Sequence, residues 1–288
     1  MPKPLDGFLL AAGLGTRMGA LSACLPKPAW TLRGKPLLQW GAAALRAGGA
    51  NHLGCNAHLL PDRLKAAAAQ VEGGIEVFDE PELLGSAGGL LHARGRVAAE
   101  LLTWNADIWA DEVPFELLRA RHREGHGGVR ATLSWLLVPH PGGDWNPVWM
   151  DHEGRVLPKG VTGPWGPYHF TGAAAWSPEA LALLPEGPSE VNDLRPRLAS
   201  LPMGHLGVVA EPFPWREVGT PQTLIEAAAE LAPEQEGRLA GCYLHPTARP
   251  AGRLTRCVLG PGAAPPPAIA DADALWFEEG GNQVRLGL

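Results

Sequence analysis

From Gly7 to Glu124, short apolar runs of strand length alternate with longer stretches of helical period, which leaves few ways to fold. Such alternation is the pattern of a parallel sheet covered by helices. Strands are expected at Gly7–Ala12, His52–Asn56, Ile75–Phe78 and Glu100–Asn105, the last running into Asp107. A helix at Pro36–Ala47 opens on proline and stops at Gly48-Gly49, the usual asymmetry of helix ends. Further helices are expected at Pro61–Val71, Ser86–Ala99 and Pro114–Glu124. The fold class is therefore α/β, a three-layer α/β/α domain with a mostly parallel sheet.

The middle of the chain is less regular. Strand-like runs at Gly128–Val138, Pro147–Asp151 and Arg155–Pro158 surround the turn signal Asp151-His152-Glu153-Gly154, which predicts hairpins beside the main sheet. Phe170–Ala175 returns to that sheet, and helices at Pro178–Leu184, Val191–Leu201 and Pro221–Leu231 complete a first domain, residues 1–236. After Gly237 the texture changes. Cys242/Cys257, Leu244/Leu259, Pro246/Pro261, Ala248/Ala263 and Pro250/Pro265 are identical pairs 15 residues apart, at alternate positions, with a weaker third copy around Asp273–Phe277. Period-2 identity within a short repeat predicts stacked extended coils, a β-solenoid-like tail over residues 237–288. Two copies bury too little to stand alone, so the tail either packs on the first domain or mediates self-association into a homo-oligomer.

Composition narrows the partners. With 24 Lys+Arg against 30 Asp+Glu, the formal charge is −6, and no basic field exists to attract nucleic acid or an anionic membrane. The longest apolar run near the start, Phe8–Ala12, is far too short to span a bilayer. Cys24, Cys55, Cys242 and Cys257 have neither metal-ligand spacing nor the density of a disulfide scaffold, which predicts a reducing, cytoplasmic setting.

The strongest local signal is Leu10-Ala11-Ala12-Gly13-Leu14-Gly15-Thr16-Arg17-Met18, followed by Leu25-Pro26-Lys27-Pro28. A glycine-rich turn after a buried strand lets backbone N–H groups approach phosphate oxygens, and Arg17 and Lys27 add positive charge where a triphosphate would lie. Two other phosphate loops fail. A dinucleotide fingerprint needs glycine where Met18 stands and an acid where Leu32-Arg33 stands, and no Gly-Lys-Ser/Thr closes a Walker A run.

This loop, with its spacing to Pro26-Lys27-Pro28, resembles the signature of the sugar-1-phosphate nucleotidyltransferases. Five more segments match that family in its order: Asn56-Ala57-His58 with Leu60-Pro61, Glu80 to Gly89, Asn105-Ala106-Asp107, Phe170-Thr171-Gly172, and Trp215-Arg216-Glu217-Val218-Gly219-Thr220-Pro221. Ser86 stands where the family usually has Thr. The resemblance implies a Rossmann-like, GT-A-like nucleotide-binding fold, and its members with truncated left-handed β-helix tails resemble the Cys242 repeat. It also implies the reaction of a nucleoside triphosphate with a sugar 1-phosphate to give an NDP-sugar and pyrophosphate. Mannose-1-phosphate guanylyltransferases and N-acetylmuramate-1-phosphate uridylyltransferases are the members most similar in character.

Two polyanions repel each other, so joining them calls for divalent metal and cations. Carboxylates are the ligands Mg²⁺ prefers. Asp107, at the carboxyl end of a strand, and Glu217, by its place in the late block, are the expected metal pair. Glu217 departs from the aspartate of the family pattern, which leaves a non-catalytic, regulatory nucleotide-sugar-binding subunit as the alternative. Arg17 would stabilise the leaving pyrophosphate and Lys27 the transition state. Nucleotide contacts are expected from Leu10, Ala11, Ala12, Gly13, Gly15, Thr16, Arg17, Glu80, Gly85, Ser86 and Ala87. A carboxylate only accepts hydrogen bonds, so Glu80 suits the N–H edge of guanine or uracil and disfavours N1 of adenine. Sugar contacts are expected from Asn105, Lys159, Thr171 and Gly172.

Other candidates carry less. Trp145, Trp149 and Trp165 have the chemistry to stack on a sugar, but packing is the commoner role. Cys55 and His58 lack the further ligands zinc needs. The reaction needs no thiol, so Cys24 is expected to be dispensable.

Overall fold

The computed structural model describes residues 4–231 and 241–288. The chain begins β1 (Leu5–Leu10), β2 (Thr31–Leu32), β3 (Lys35–Pro36), α1 (Leu37–Ala47), β4 (Leu53–Ala57), α2 (Pro61–Ala68), β5 (Glu76–Asp79) and α3 (Gly85–Ala93). It continues with β6 (Val97–Asn105), β7 (Ile108–Ala110), α4 (Phe115–Glu124), β8 (Leu133–Pro139), β9 (Val148–Met150) and β10 (Trp165–Trp176). Then follow α5 (Pro178–Ala182), α6 (Arg195–Ala199), β11 (His205–Val209), β12 (Trp215–Glu217) and α7 (Pro221–Leu231).

Among the described residues, eight strands form the main sheet in the order β11-β8-β10-β6-β1-β4-β5, with β9 paired on β10. The parallel pairings β1–β4, β4–β5, β1–β6 and β8–β11 outnumber the antiparallel β6–β10, β8–β10 and β9–β10. One face is covered by α1, α2 and α4 through Leu38, Leu45, Leu64, Phe115 and Leu118. The other is covered by α3, α5 and α6 through Ala87, Leu90, Leu181 and Leu198. The three layers are thus present, and β1 with its apolar Phe8 and Leu9 lies between them, both side chains fully buried.

Several boundaries differ from expectation. Helix α3 stops at Ala93, not Ala99, because Val97 already pairs with Leu5 of β1. The Gly128–Val138 run becomes strand only from Leu133. Arg155–Pro158 forms no strand: Arg155 bridges Leu206 and Val156 bridges Met150. The Val191–Leu201 helix is a 3₁₀ turn, Val191–Leu194, followed by α6.

The C-terminal unit contains β13 (Tyr243–Leu244), β14 (Arg253–Thr255), β15 (Val258–Leu259), β16 (Ala270–Ala272), β17 (Ala274–Glu279) and β18 (Asn282–Gly287). Tyr243 pairs in parallel with Val258 and Leu244 with Leu259, so the register equals the 15-residue sequence repeat. β15 pairs in parallel with β17, and β14 with β16. The unit packs on the first domain: Tyr243, Val258, Leu275 and Phe277 share a core with Met18, Leu21, Trp30 and Leu224. The expected boundary at 236/237 lies outside the described residues. Among the described residues no helix is long and apolar enough to cross a membrane.

Candidate active site

The site forms where β1, β4 and β6 end side by side. Leu10 pairs with Asn105, and the Leu10 carbonyl accepts the Ala106 N–H at 3.0 Å. Beyond Leu10 the chain leaves the sheet, and its first two amides need partners. Asn56, the penultimate residue of β4, supplies them: its Oδ1 accepts the N–H groups of Ala11 at 2.7 Å and Ala12 at 3.3 Å. The Asn56 amide donates in turn to Glu80 Oε1 at 2.7 Å, and Glu80 Oε2 accepts the Leu84 N–H at 3.1 Å. One buried relay therefore ties the glycine-rich loop to the entry of α3. Gly89 makes room for it, since a Cβ there would lie 2.5 Å from Asn56 Nδ2 and 2.7 Å from Glu80 Oε1. Gly15 is left-handed at φ 64° and faces Lys27 closely, as a turn that folds back on the following segment requires.

The charged groups arrive from three directions. Lys27 lies in a 3₁₀ turn, Lys27–Ala29, and its Nζ is 3.3 Å from Asp107 Oδ2. β12 pairs antiparallel with β7, setting Glu217 opposite Ile108, and the Val218 N–H donates to the Asp107 carbonyl at 2.9 Å. That pairing carries a residue 110 positions away in sequence to the side of Asp107. Arg17 closes the group with an ion pair to Glu217, and Gly219 allows it: a Cβ there would lie 2.7 Å from Glu217 Oε1 and 3.0 Å from Arg17 Nη2. Burial raises the Asp107 carboxyl above the usual carboxylate range; Lys27 opposes that rise and Glu217 adds to it. Two neighbouring carboxylates, each held by one cation, form a donor set of the hard-oxygen kind that suits Mg²⁺.

A cavity of about 240 Å³ opens beside these groups. Its lining includes Lys27, Asn105 and Asp107, the segment Leu10 to Gly13, and Leu83, Gly85, Ser86 and Glu190. Glu190 was not anticipated. Its carboxylate accepts the Ser86 hydroxyl and, at 3.2 Å, the Ser86 N–H, while Ser86 Oγ accepts the Val191 N–H at 2.9 Å. Gly85, at φ 75°, fits beneath it: a Cβ there would meet the Ser189 carbonyl at 2.5 Å.

Residues 7–159 match the family model described as the MobA-like NTP transferase domain. The chain is also 30% identical over 242 residues to the N-acetylmuramate alpha-1-phosphate uridylyltransferase of Caulobacter vibrioides, covering 80% of this chain and 98% of that protein. The chain belongs to the sugar-1-phosphate nucleotidyltransferase family. It is an enzyme of that type. The mannose-1-phosphate guanylyltransferase of Mycobacterium tuberculosis is 25% identical over 79% of this chain, which spans 64% of that relative's length. Among solved structures, HddC from Yersinia pseudotuberculosis complexed with GMP-PN superposes with a TM-score of 0.64 at 19% identity, over 78% of this chain and 99% of that one. The inositol-1-phosphate CTP transferase from T. maritima superposes with a TM-score of 0.63 at 14% identity, over 81% and 98%. These two likenesses concern the fold.

In this transferase, some expected site residues have other duties. Glu80 is 3% exposed with both oxygens engaged, so it faces Asn56 and Leu84, not the cavity. Ala87 is fully buried under the sheet with Leu90, where it packs. Thr171 is fully buried, and its hydroxyl donates to the Leu136 carbonyl at 3.0 Å. Gly172, at φ 92°, lets β10 pass Asn105 and Ile108, since a Cβ would meet Ile108 at 2.6 Å. Lys159, Thr16 and Arg17 are exposed and, like the half-buried Gly15, outside the cavity lining. Trp145 packs edge-on against His169 and Trp215, which stack on each other at 5.0 Å. Cys55 sits in the core with its thiol pushed up to about 12 by burial, and His58 Nδ1 contacts the Glu80 carbonyl at 2.9 Å. Burial likewise pushes the Cys24 thiol up to about 12, against the pull of Arg63.

Proposed function

We propose that this enzyme joins GTP or UTP to a sugar 1-phosphate, releasing pyrophosphate and an NDP-sugar. The observation that carries the reading is the convergence of Arg17, Lys27, Asp107 and Glu217 beside a cavity lined in part by Leu10 to Gly13. A phosphate oxygen of the sugar 1-phosphate attacks the α-phosphorus in line. The bond from that phosphorus to the bridging oxygen breaks, and its electron pair leaves with pyrophosphate, without a covalent enzyme intermediate. Lys27 neutralises charge on the transferring phosphoryl group and Arg17 receives the departing pyrophosphate. Both cations are held by carboxylates in the resting site, so each is already oriented before substrate arrives. Asp107 and Glu217 would hold Mg²⁺, which when bound offsets the charge of the two phosphate substrates.

The backbone of Leu10–Ala12 and the Gly85-Ser86 turn bind the nucleoside, with Gly13, Gly15 and Thr16 on its phosphates. Asn105, from the lining, serves the sugar side. Glu190 lines the cavity with its carboxylate engaged by Ser86 and the Asp193 N–H, and GTP and UTP are kept as the candidates on the likeness to guanylyl- and uridylyltransferases. The C-terminal unit is read as a short left-handed β-helix-like segment, supported by its parallel 15-residue register. The enzyme is read as cytoplasmic, in keeping with four free cysteines.

Pyrophosphate release tests the proposal, measured with Mg²⁺ for four NTPs against mannose, glucose, N-acetylglucosamine, N-acetylmuramate and galactose 1-phosphates. Release that requires one NTP together with one sugar phosphate is expected. Tight nucleotide binding with no release from any pair would move the reading to a regulatory subunit.

A further inference from the structure

The segment that carries Lys27 has little regular structure of its own. Thr16–Ala23 and Lys27–Ala29 are 3₁₀ turns, whose hydrogen bonds are poorer than those of an α-helix. Support comes from outside. Trp30 is fully buried, with the Tyr243 ring edge-on to it at 5.4 Å and Gly260 beside the indole. Its backbone N–H donates to the Lys27 carbonyl at 3.1 Å, and its carbonyl accepts the Leu37 N–H at 2.9 Å. One residue further on, the Tyr243 hydroxyl accepts the Thr31 N–H at 3.1 Å and shares a 2.7 Å hydrogen bond with Thr31 Oγ1. Tyr243 is 2% exposed, and burial pushes its phenol up to about 12 with Thr31 opposing. Packing alone would be satisfied by phenylalanine. A hydroxyl in this apolar cluster is costly unless paired, and both of these bonds go to Thr31, four residues from Lys27.

We propose that the face of the C-terminal unit packed on Trp30 supports the catalytic centre, with Tyr243 a positioning residue that acts through Thr31 and Trp30 to fix Lys27 against Asp107. The inference rests on the transferase reading of Lys27. Misplacing a group that contacts the reacting phosphate by about 1 Å can cost as much as 10²-fold in rate, so a hydrogen bond outside the cavity is able to govern turnover.

The test is Tyr243→Phe, which keeps the ring and removes the hydroxyl. A fall in kcat of roughly 5- to 10-fold is expected, with KM for the nucleotide within about twofold of wild type. Leu259→Ala is the control, because Leu259 belongs to the C-terminal unit's own small core and not to the cluster around Trp30. At a temperature where it is fully folded, it should keep wild-type kcat. Combining Thr31→Val with Tyr243→Phe should lose no more than the worse single variant, since both remove one coupling. Wild-type kcat in Tyr243→Phe, or an equal loss in Leu259→Ala, would overturn the proposal. If the wild-type protein itself releases no pyrophosphate, the function proposed above falls separately. Positioning is then read from amide hydrogen exchange across residues 27–32: faster exchange in Tyr243→Phe supports it, and an unchanged rate overturns it.

Discussion

Asp107, the proposed metal ligand, is held where its charge is costly to the fold. Burial and Glu217 both raise its carboxyl, so its ionised form is held against two unfavourable effects, with Lys27 and a backbone hydrogen bond in favour. Asp107→Asn should therefore cut turnover by at least about 10²-fold while the melting temperature stays level or rises, as thermal melts would show. A marked drop in melting temperature would mean that Asp107 is chiefly a structural partner of Lys27. Cys24 makes the opposite case: its thiol is buried and pushed up to about 12, hence inert, and Cys24→Ser should keep kcat within about twofold. At this scale the motifs single out Lys27, Asp107 and Gly13, which the fold brings to one cavity, while their roles there belong to the proposal. Glu190 was not readable, because it meets Ser86 across 104 positions and stands in none of the motifs. Glu80 misled for a related reason: a carboxylate at the right place in a motif can as well brace a loop as read a base.

At the scale of elements, the relay from the loop through Asn56 and Glu80 to α3 depends on the helix having no side chain at Gly89. Gly89→Ala should destabilise the protein by about 1–3 kcal/mol in urea titrations, and weaken nucleotide binding as the loop amides lose their acceptor. An unchanged midpoint would show that the relay can shift aside. The order of elements was legible because apolar periodicity reports it directly. The mostly parallel character of the sheet was legible as well, but the register shift between Phe170 and Ala174, where β10 pairs antiparallel with β8, was not, because it lies between segments that no local pattern links. Helix α3 was overextended for a similar reason, since the pairing partner that claims Val97 is Leu5, at the far end of the domain.

For the whole molecule, acid is the expected weakness. Burial holds His122, His169 and His245 down to about 4 and His205 to about 3, so all four are neutral when folded. Unfolding returns each toward its ordinary value near 6.5, where the unfolded chain binds more protons. The stability they contribute is complete above about pH 6.5 and is lost as pH falls through the folded values, so the melting temperature should drop steeply between pH 6.5 and pH 4. Among the described residues neither ring nitrogen of His205 has a hydrogen-bond partner, so His205→Leu should flatten part of that slope and cost little at pH 7. Parallel slopes for the two proteins would remove His205 from the account.

The C-terminal unit ends its run of parallel pairings with a strand laid the other way. β18 turns back on β17 through Gly280-Gly281, both at positive φ, and Arg285 is pinned to Asp271 at 2.7 Å. A stack of parallel coils otherwise presents an open edge on which another chain can continue the pairing. Laid antiparallel on β17, this reversed strand occupies the edge that the parallel pairings would otherwise leave open. Removing residues 281–288 should leave β17 with one edge unpaired, and the shortened protein should form long soluble polymers or fibres, visible by light scattering, at concentrations where the intact chain stays dispersed.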